Sequence, residues 1–487
     1  MAYTLRRILP ILTVCHLALF SSAFANQNKL FVNINELVVY NFATASSEES
    51  PSIYEIKDGE VGLTLEDLMT TAFKYNRMIE VVKQKLAQSR GQLTQARSGY
   101  LPQVSLMARY FYTERQDSGA SSTLNSGAVS PGFDEVETDD IPHGAANLTQ
   151  LIYDFGKTTG AIDVGKSNVA AENAHLERQV QEVVFKVKKA YYNVLEKMRL
   201  IDVAAESVKS FEQHLGRAQV YYKAGVRTKI DVINAEVELS NARMNLLKSE
   251  YNLKTAKVAL EQVLGKKPNR GNYVLVSERV DLDTILDTMP PVPITLENSI
   301  VEALDLRPDI IQMKKMIEAS QANLTRVQGD YWPAITADAK YNEYDTDLSL
   351  YKDYWEVGVA ATWEIFSGFE TKGATAEAKG RLLENKAQLQ DLQLTVVSEV
   401  TDSYLKTEEN RESVQIALQT LDLAKENVQL AEKRYQSGSY DVIEFNDAQL
   451  SLTRTQSELI VTYYGYLTAF AGIEFAVGKP LGDEQTN

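Results

Sequence analysis

Internal repetition constrains this chain more than any other feature of its sequence, because two copies of one unit must fold into two related halves. VYYKAGVRTKIDVINAE occupies residues 220–236, and RYQSGSYDVIEFNDAQ occupies residues 434–449. In each stretch a tyrosine is followed by a glycine, an isoleucine, an acidic residue and an alanine: Tyr222, Gly225, Ile230, Asp231 and Ala235 in the first, and Tyr435, Gly438, Ile443, Glu444 and Ala448 in the second.

The repetition also sets the expected domain boundaries. SGYLPQVSL at 98–106 parallels GDYWPAITA at 329–337, and Gly265 parallels Gly478. We therefore expect a first repeat at 62–265, a proline-containing linker at 266–295 and a second repeat at 296–480. The first copy carries an insertion, TERQDSGASSTLNSGAVSPGFDEVETDDIPH, whose composition predicts a solvated loop.

The first 25 residues have the pattern of a secretory signal peptide. Arg6 and Arg7 precede an apolar run, and Ala23-Phe24-Ala25 supplies a small-x-small cleavage site. The mature chain is expected to begin at Asn26, with an N-terminal extension at 26–61 and a short tail at 481–487. Cys15, the only cysteine, lies in the leader. Its lipidation is the alternative, and bulky Val14 before it disfavours that.

Charge and hydropathy restrict the partners of the mature chain. Without the two arginines of the leader, 48 of 50 basic residues remain against 66 acidic residues, a formal charge of −18. This balance disfavours nucleic-acid binding. Beyond the leader there is no run of about 18 uncharged apolar residues, so we expect that only strands could cross a membrane.

Proline placement predicts very long helices. No proline occurs from His143 to Lys267 or from Ala334 to Lys479. In the first window apolar residues recur every three and four positions, the 3.5-residue period of coiled coils: Val180, Val184, Val187, Tyr191, Val194, Met198, Ile201, Ala205 and Val208. A helix from about residue 158 to 224 would be on the order of 100 Å long.

Period-two alternation predicts four strands, at about 103–112, 145–154, 334–344 and 355–365. In the last of these, the apolar face carries tryptophan near both ends, as lipid-facing strands do: Trp355, Val357, Val359, Ala361 and Trp363. The alternative is a soluble meander with one wet face. Four strands cannot close a barrel, whereas three copies would give twelve strands and a lumen for the polar face, which carries Arg109, Asp338, Lys340, Glu356 and Glu364.

The doubled Tyr-x-x-Gly turn, the paired Tyr-x-Pro and the stretches LIYDFG and EIFSGF resemble the TolC-type outer-membrane efflux channel family over roughly residues 62–480. The resemblance implies a mainly α protein with a membrane β-part and two repeats. It further implies a homotrimer whose twelve-stranded barrel continues as an α-helical barrel in the periplasm. A periplasmic adaptor would dock at the helix tips, and an inner-membrane pump would supply the energy.

The same resemblance implies the functional residues. Glu444 and Asp447, with Asp231 as their equivalent in the first repeat, would face the axis at the periplasmic entrance. Tyr440 stands where relatives have an arginine that latches this entrance. Tyr222, Gly225, Tyr435 and Gly438 would form the tip turns that meet the adaptor. The alternative for the acids is a capping box, since both Thr228-x-x-Asp231 and Asp441-x-x-Glu444 fit that pattern.

Other motifs are weaker. Residues 160–167 fit the phosphate-loop pattern, but bulky helix-forming residues fill it and no βαβ pattern surrounds it. We expect His175 and His214 on the surface of the tunnel wall, and no metal, cofactor or catalytic group. The sequence therefore predicts an outer-membrane export channel for efflux or type I secretion, lying in lipid. The alternative is a coiled-coil scaffold or adhesin without a pore, and the cargo cannot be predicted.

Overall fold

The computed structural model describes residues 54–56, 60–116, 136–268, 273–275, 285–286, 288–292, 295–344, 352–436 and 442–479. The chain divides into two units, 1–56 and 57–487. The described part of the first unit is strand β1, Tyr54–Ile56. All elements below belong to the second unit. The predicted signal peptide and C-terminal tail lie outside the described residues.

The first half of the second unit is mainly helical. It contains, in order, β2 Glu60–Leu63, α1 Leu65–Tyr75, α2 Arg77–Ser98, β3 Gln103–Gln116, β4 Val136–Tyr153, α3 Lys157–Lys223 and α4 Lys229–Val263. Helix α3 has 67 residues and is therefore about 100 Å long. Two short helices, a strand pair, a very long helix and a returning helix thus follow one another.

The second half shows the same order of elements after a short strand. It contains β5 Val274–Leu275, α5 Leu296–Leu306, α6 Pro308–Gln328, a 3₁₀ turn Gly329–Tyr331, β6 Ala334–Tyr344, β7 Lys352–Thr362, α7 Glu370–Gln436 and α8 Val442–Val477. Strand β5 pairs in parallel with β2, which joins the segment between the halves to the start of the first half. Helix α7 also has 67 residues.

Local chemistry explains where the helices begin and end. Thr64 and Asp67 form a capping box at α1, and the Asn76 side chain accepts a hydrogen bond from the Met78 N–H at the start of α2. At the end of α4, Gly265 takes a left-handed conformation with φ 76°. The Gly265 and Lys266 N–H groups donate back into the last turn, which is a Schellman motif.

Both strand-to-helix junctions pass through left-handed backbone. Phe155 and Gly156 precede α3 with φ 53° and 101°, and Gly368 and Phe369 precede α7 with φ 61° and 69°. Phenylalanine is uncommon in this region, because its Cβ approaches the carbonyl oxygen. The stretches LIYDFG and EIFSGF therefore each hold a sharp redirection of the chain from strand to helix.

The four long strands form one antiparallel sheet in the order β3-β4-β6-β7. The register separates two faces. One row across the sheet is Val104, Leu148, Ala339 and Val357, and the adjacent row, on the opposite face, is Ser105, Asn147, Lys340 and Glu356. The sheet is therefore apolar on one face and polar on the other.

The strands differ in extent from the sequence prediction. Strand β3 continues to Gln116 and β4 already starts at Val136, so part of the segment expected to be a loop is paired backbone. Strand β7 ends at Thr362, and Trp363 follows it. The polar stretch VETDDIPH does not alternate between apolar and polar residues. It is nevertheless a strand, because its backbone pairs with β3.

Helices α3 and α8 form the core. Val183, Val187 and Val194 of α3 are buried with Leu459 and Tyr466 of α8. The buried residues of α3 follow the predicted 3.5-residue period as far as Val194. Farther along α3 a different set of residues is buried, and Ala205 of the predicted stripe is exposed. The buried residues there are Val203, Ala204, Ser207, Phe211, His214 and Ala218.

Arg307 fastens the turn between α5 and α6 to the long helices. Its guanidinium is buried and donates to Asp309 at 2.6 Å, to Glu399 of α7 at 2.7 Å and to the Ala476 carbonyl of α8 at 3.2 Å. The hydrogen bonds to Asp309 and Glu399 outweigh the effect of burial and raise the pKa of Arg307. Three helices thus share one charged group, and its pairing satisfies a buried cation.

By length and composition, one described helix segment is apolar enough to cross a membrane, Ile443–Val477 in α8. Its side chains Leu459, Tyr463 and Tyr466 belong to the core shared with α3 and α7. The apolar character of α8 is therefore explained by packing within the protein.

Candidate functional site

The first helix tip joins α3 to α4 at residues 224–228. Gly225 has φ 74°, the left-handed conformation that the sequence predicts. The Gly225 N–H donates to the Tyr222 carbonyl and the Val226 N–H to the Tyr221 carbonyl, both at 3.0 Å. This Schellman motif ends α3 and lets the chain reverse. Tyr222 is exposed beside the turn.

Asp231 serves its own helix terminus. Its Oδ2 accepts hydrogen bonds from the Thr228 N–H at 2.9 Å and from the Thr228 hydroxyl at 3.0 Å. The residue is buried, and the two residues form a capping box. The geometry therefore favours the capping alternative for Asp231 over an axis-facing role.

Glu444 and Asp447 lie on one exposed face of α8, close to its start. The opposite face of this segment is buried through Phe445, Asn446 and Ala448. The three-residue spacing places both carboxylates one turn apart on the solvent side. Gly438, Tyr440 and Asp441 lie outside the described residues.

An aromatic cluster, which the sequence did not predict, joins the tips of the two halves. His214 of α3 stacks on Phe445 of α8 with ring centroids 4.8 Å apart, and it lies 5.4 Å from the Tyr435 ring of α7. His214 is 1% exposed, so its predicted surface position is wrong. The spacing from Phe211 and to Ala218, three and four residues, is the signal that could have placed it in the core.

An ion pair connects α3 and α7 beside this cluster. Arg217 donates to Glu432 at 2.5 Å, and both side chains are about one-third exposed. The Arg227 guanidinium, from the turn after α3, lies 5.0 Å from the centre of the Tyr435 ring. The first tip and the end of α7 are thus held together by rings and charges.

The packing of the helices defines two open flanks. Helix α4 packs on α3, α3 packs on α8, and α8 packs on α7, so α4 and α7 are the outer members of this row. Each outer helix exposes apolar residues along one face: Ile230, Ile233, Val237, Met244, Leu247 and Tyr251 on α4, and Leu383, Leu394, Leu405, Ile416, Leu423 and Leu430 on α7.

The apolar face of the sheet is exposed. In β7, Trp355 is 76%, Val357 67% and Val359 70% exposed. Past the end of the strand, Trp363 is exposed and its Nε1 donates to the Tyr331 carbonyl at 3.1 Å. A face of this kind needs an apolar covering, because soluble proteins rarely leave so contiguous an apolar patch in water.

The segment with the phosphate-loop pattern is helical and forms no loop, in agreement with its helix-forming residues. Residues 160–167 form early turns of α3. A Cβ at Gly160 would lie 2.8 Å from the Arg326 Cβ, and one at Gly165 would lie 3.0 Å from a methyl of Leu93. Both glycines allow close packing of α3 on α6 and α2. Within the described ranges no group of His, Cys, Asp and Glu is arranged to hold a metal.

Comparison with known proteins supports one family. Residues 68–266 and 299–479 match the family described as Outer membrane efflux protein. The toluene efflux pump outer membrane protein TtgC of Pseudomonas putida is 24% identical over 428 residues, which are 85% of this chain and 82% of TtgC. The alkaline protease secretion protein AprF of Pseudomonas aeruginosa is 21% identical over 78% of both chains.

The fold has a counterpart in a solved structure. The crystal structure of the outer membrane protein VceC from Vibrio cholerae matches with a TM-score of 0.71 at 18% identity, covering 86% of this chain and 96% of VceC. The two segments that match the family together span more than half of the chain. This chain therefore belongs to the outer membrane efflux protein family.

Proposed function

We propose that this protein is a passive export duct of the outer membrane, opened by a periplasmic adaptor and supplied by an inner-membrane pump. The observation that carries the proposal is the two-faced sheet, which ends at β3 on one side and at β7 on the other. In lipid, these end strands would leave backbone N–H and C=O groups without partners. Other copies of the chain must therefore complete the sheet.

Three copies fit the sheet best. Two copies would give eight strands, whose interior is filled by side chains, whereas twelve strands leave a lumen. The polar row with Lys340 and Glu356 requires such a water-filled interior. The Thr149 hydroxyl donates to Asp338 at 2.9 Å on the same polar face. We therefore propose a homotrimeric barrel of twelve strands.

The open flanks of the helices would also meet between copies. Strand β7, at one edge of the sheet, leads directly into α7, one of the two outer helices. Closing the ring would place α7 of one copy against α4 of the next. Leu383, Leu394, Leu405 and Ile416 recur every 11 residues, whereas Ile416, Leu423 and Leu430 recur every seven. The 11-residue period keeps an apolar stripe on a helix with a slight right-handed supercoil, and the seven-residue period keeps it on a left-handed supercoil.

The tips would form the periplasmic entrance. Three copies of Glu444 and Asp447 around a common axis would repel one another and favour cations. Exposed Tyr222 and the turn at Gly225 would offer the surface on which an adaptor docks, with Gly438 as the counterpart of Gly225 in the sequence, and buried Tyr435 would support this surface from the core. Asp231 would support this surface by capping α4, and Tyr440 would stand beside the entrance acids.

The relatives differ in cargo. One is named for toluene efflux and another for the secretion of alkaline protease. Because one fold serves cargo of such different size, we place the choice of cargo in the pump that feeds the duct. The duct itself would supply passage through the outer membrane.

Assembly and conductance test the proposal directly. The protein, extracted from outer membranes in detergent, should have the mass of three chains by light scattering. Added to a planar lipid bilayer, it should produce discrete current steps. A monomer that conducts no ions would contradict the proposal, and release of the protein from membranes by a salt wash would favour the scaffold alternative.

A further inference from the structure

His214 is buried where three helices of the tip meet. It lies on α3, eleven positions before the turn glycine Gly225. Its ring packs against both Phe445 of α8 and Tyr435 of α7, whose centroids lie 6.0 Å from each other, so the three rings form one cluster. Because α3 belongs to the first half of the protein and α7 and α8 to the second, this contact joins the two halves at the proposed entrance.

Each of the three helices brings a buried polar atom to this region that has no hydrogen-bond partner among the described residues. These atoms are His214 Nε2, Tyr435 Oη and Asn446 Oδ1. All three residues are more than nine-tenths buried. Hydrogen bonds from these three atoms therefore contribute nothing to the contact. The contact is stable only while the His214 imidazole is neutral.

The charge that acts on His214 is that of Arg217 of α3, which pairs with Glu432 of α7. Arg227 of the turn and Asp231 of α4 lie near Tyr435, and their charges act on its hydroxyl in opposite directions. Phe445 of α8 stacks on the ring and carries no charge. A proton on His214 would therefore add a cation with no acid committed to it.

We propose that His214 is a proton-responsive contact between the two halves of the tip, and that its protonation separates α3 from α7 and α8 and so opens the entrance. The proposal rests on the proposed function as an export duct. A charged imidazole buried against Phe445 and Tyr435 would lose the solvation that its charge requires. The hairpins would therefore part to let water reach it.

The expected pH range follows from the burial of the ring. Burial, and to a smaller degree the Arg217 charge, lower the pKa of His214 from 6.5 to about 4. In an open tip the imidazole would regain its ordinary pKa. The closed tip is thus most stable above pH 6.5 and loses stability as the pH falls toward 4. Between pH 7 and 4.5 the ratio of open to closed tips should rise on the order of tenfold or more.

Single-channel recording tests this. Wild-type protein in a planar bilayer should open on the order of tenfold more often at pH 4.5 than at pH 7. His214→Phe keeps an aromatic ring in the stack but cannot take up a proton, so its opening should not increase on acidification. His175→Phe removes another histidine of α3, far from the tip, and should respond as the wild type does.

The acids of the entrance provide an internal check on the sign. Any weakening of the mutual repulsion among the copies of Glu444 and Asp447 would favour closure rather than opening, so these acids cannot account for the expected increase. A rise in opening that persists in His214→Phe, or its absence in the wild type, would overturn the proposal. If no variant conducts at pH 7, the proposed export duct itself fails.

Hydrogen exchange adds a readout that does not require conduction. After correction for the intrinsic effect of pH, amides at the end of α3 and in the last turns of α7 should exchange faster at pH 4.5 than at pH 7 in the wild type. In His214→Phe they should not. Equal helical circular dichroism of both proteins at pH 7 would show that the variant folds, and equal exchange in both at pH 4.5 would contradict the proposal.

Discussion

Gly225 and Gly265 end α3 and α4 with nearly equal φ angles, 74° and 76°, but in very different surroundings. A Cβ at Gly225 would meet open space, whereas one at Gly265 would lie 2.3 Å from the Tyr75 carbonyl oxygen. Gly225→Ala should therefore lower the free energy of unfolding by about 1 kcal/mol through backbone strain alone. Gly265→Ala should lower it by about 3 kcal/mol or more, since backbone must move.

Thermal unfolding followed by circular dichroism measures this difference, with Gly216→Ala in the exposed part of α3 as the control. A Cβ at Gly216 would also meet open space, and its helical φ favours alanine, so this variant should be slightly more stable. Equal losses for Gly225→Ala and Gly265→Ala would show that the contact with Tyr75 is not rigid.

Single residues were predictable where their effect is local. The capping box of Thr228 and Asp231 and the left-handed turn at Gly225 depend on neighbours in sequence, so the sequence contains what decides them. The burial of His214 was not predictable, because it depends on Tyr435 and Phe445, which lie more than 200 positions away in the sequence. The spacing of Phe211, His214 and Ala218 indicates a buried face of α3, but it does not identify the residues that cover this face.

At the scale of elements, the long helices and the sheet strands could be predicted, but the full extents of β3 and β4 could not. Alternation marks a strand only where one face meets lipid or core, and backbone pairing extends β4 through residues that do not alternate. The buried face of α3 changes near Val203 for a related reason: different helices pack on it along its length. The sequence shows that α3 has an apolar stripe, but the helices that pack on α3 determine which of its residues are buried.

The order α4-α3-α8-α7 predicts which elements touch between copies. Counted from the two tip turns, Met244 of α4 and Leu423 of α7 lie at similar heights, about 25 Å along their helices. Cysteines at both positions should therefore form disulfides between neighbouring copies, seen as dimers and trimers on non-reducing gels. The mature chain is expected to contain no other cysteine to interfere.

Asn245→Cys combined with Leu423→Cys is the matched control for this cross-link. Asn245 is exposed at the same height but lies about 100° farther around α4. It should give little cross-linked product. Cross-links that remain within one chain, or equal yields from both pairs, would mean that α4 and α7 do not face each other across the seam.

At the scale of the whole molecule, the proposed assembly multiplies every charge of the tip by three. Without the expected leader the chain has a formal charge of −18, and Glu444 and Asp447 are exposed at the start of α8. Each charge acts on an ion about 10 Å away with about 0.4 kcal/mol in water, before screening by salt. Six such carboxylates around one axis should make the channel cation-selective and susceptible to block by divalent cations.

Replacing both acids, Glu444→Gln with Asp447→Asn, should weaken block by Mg²⁺ roughly fivefold and shift the reversal potential in a salt gradient toward that of a non-selective pore. Asp422→Asn, which removes an exposed acid from α7 instead, should change neither quantity. Selectivity retained in the double variant would place these carboxylates away from the axis. Because screening weakens such fields, the difference between the variants should also shrink as the salt concentration rises.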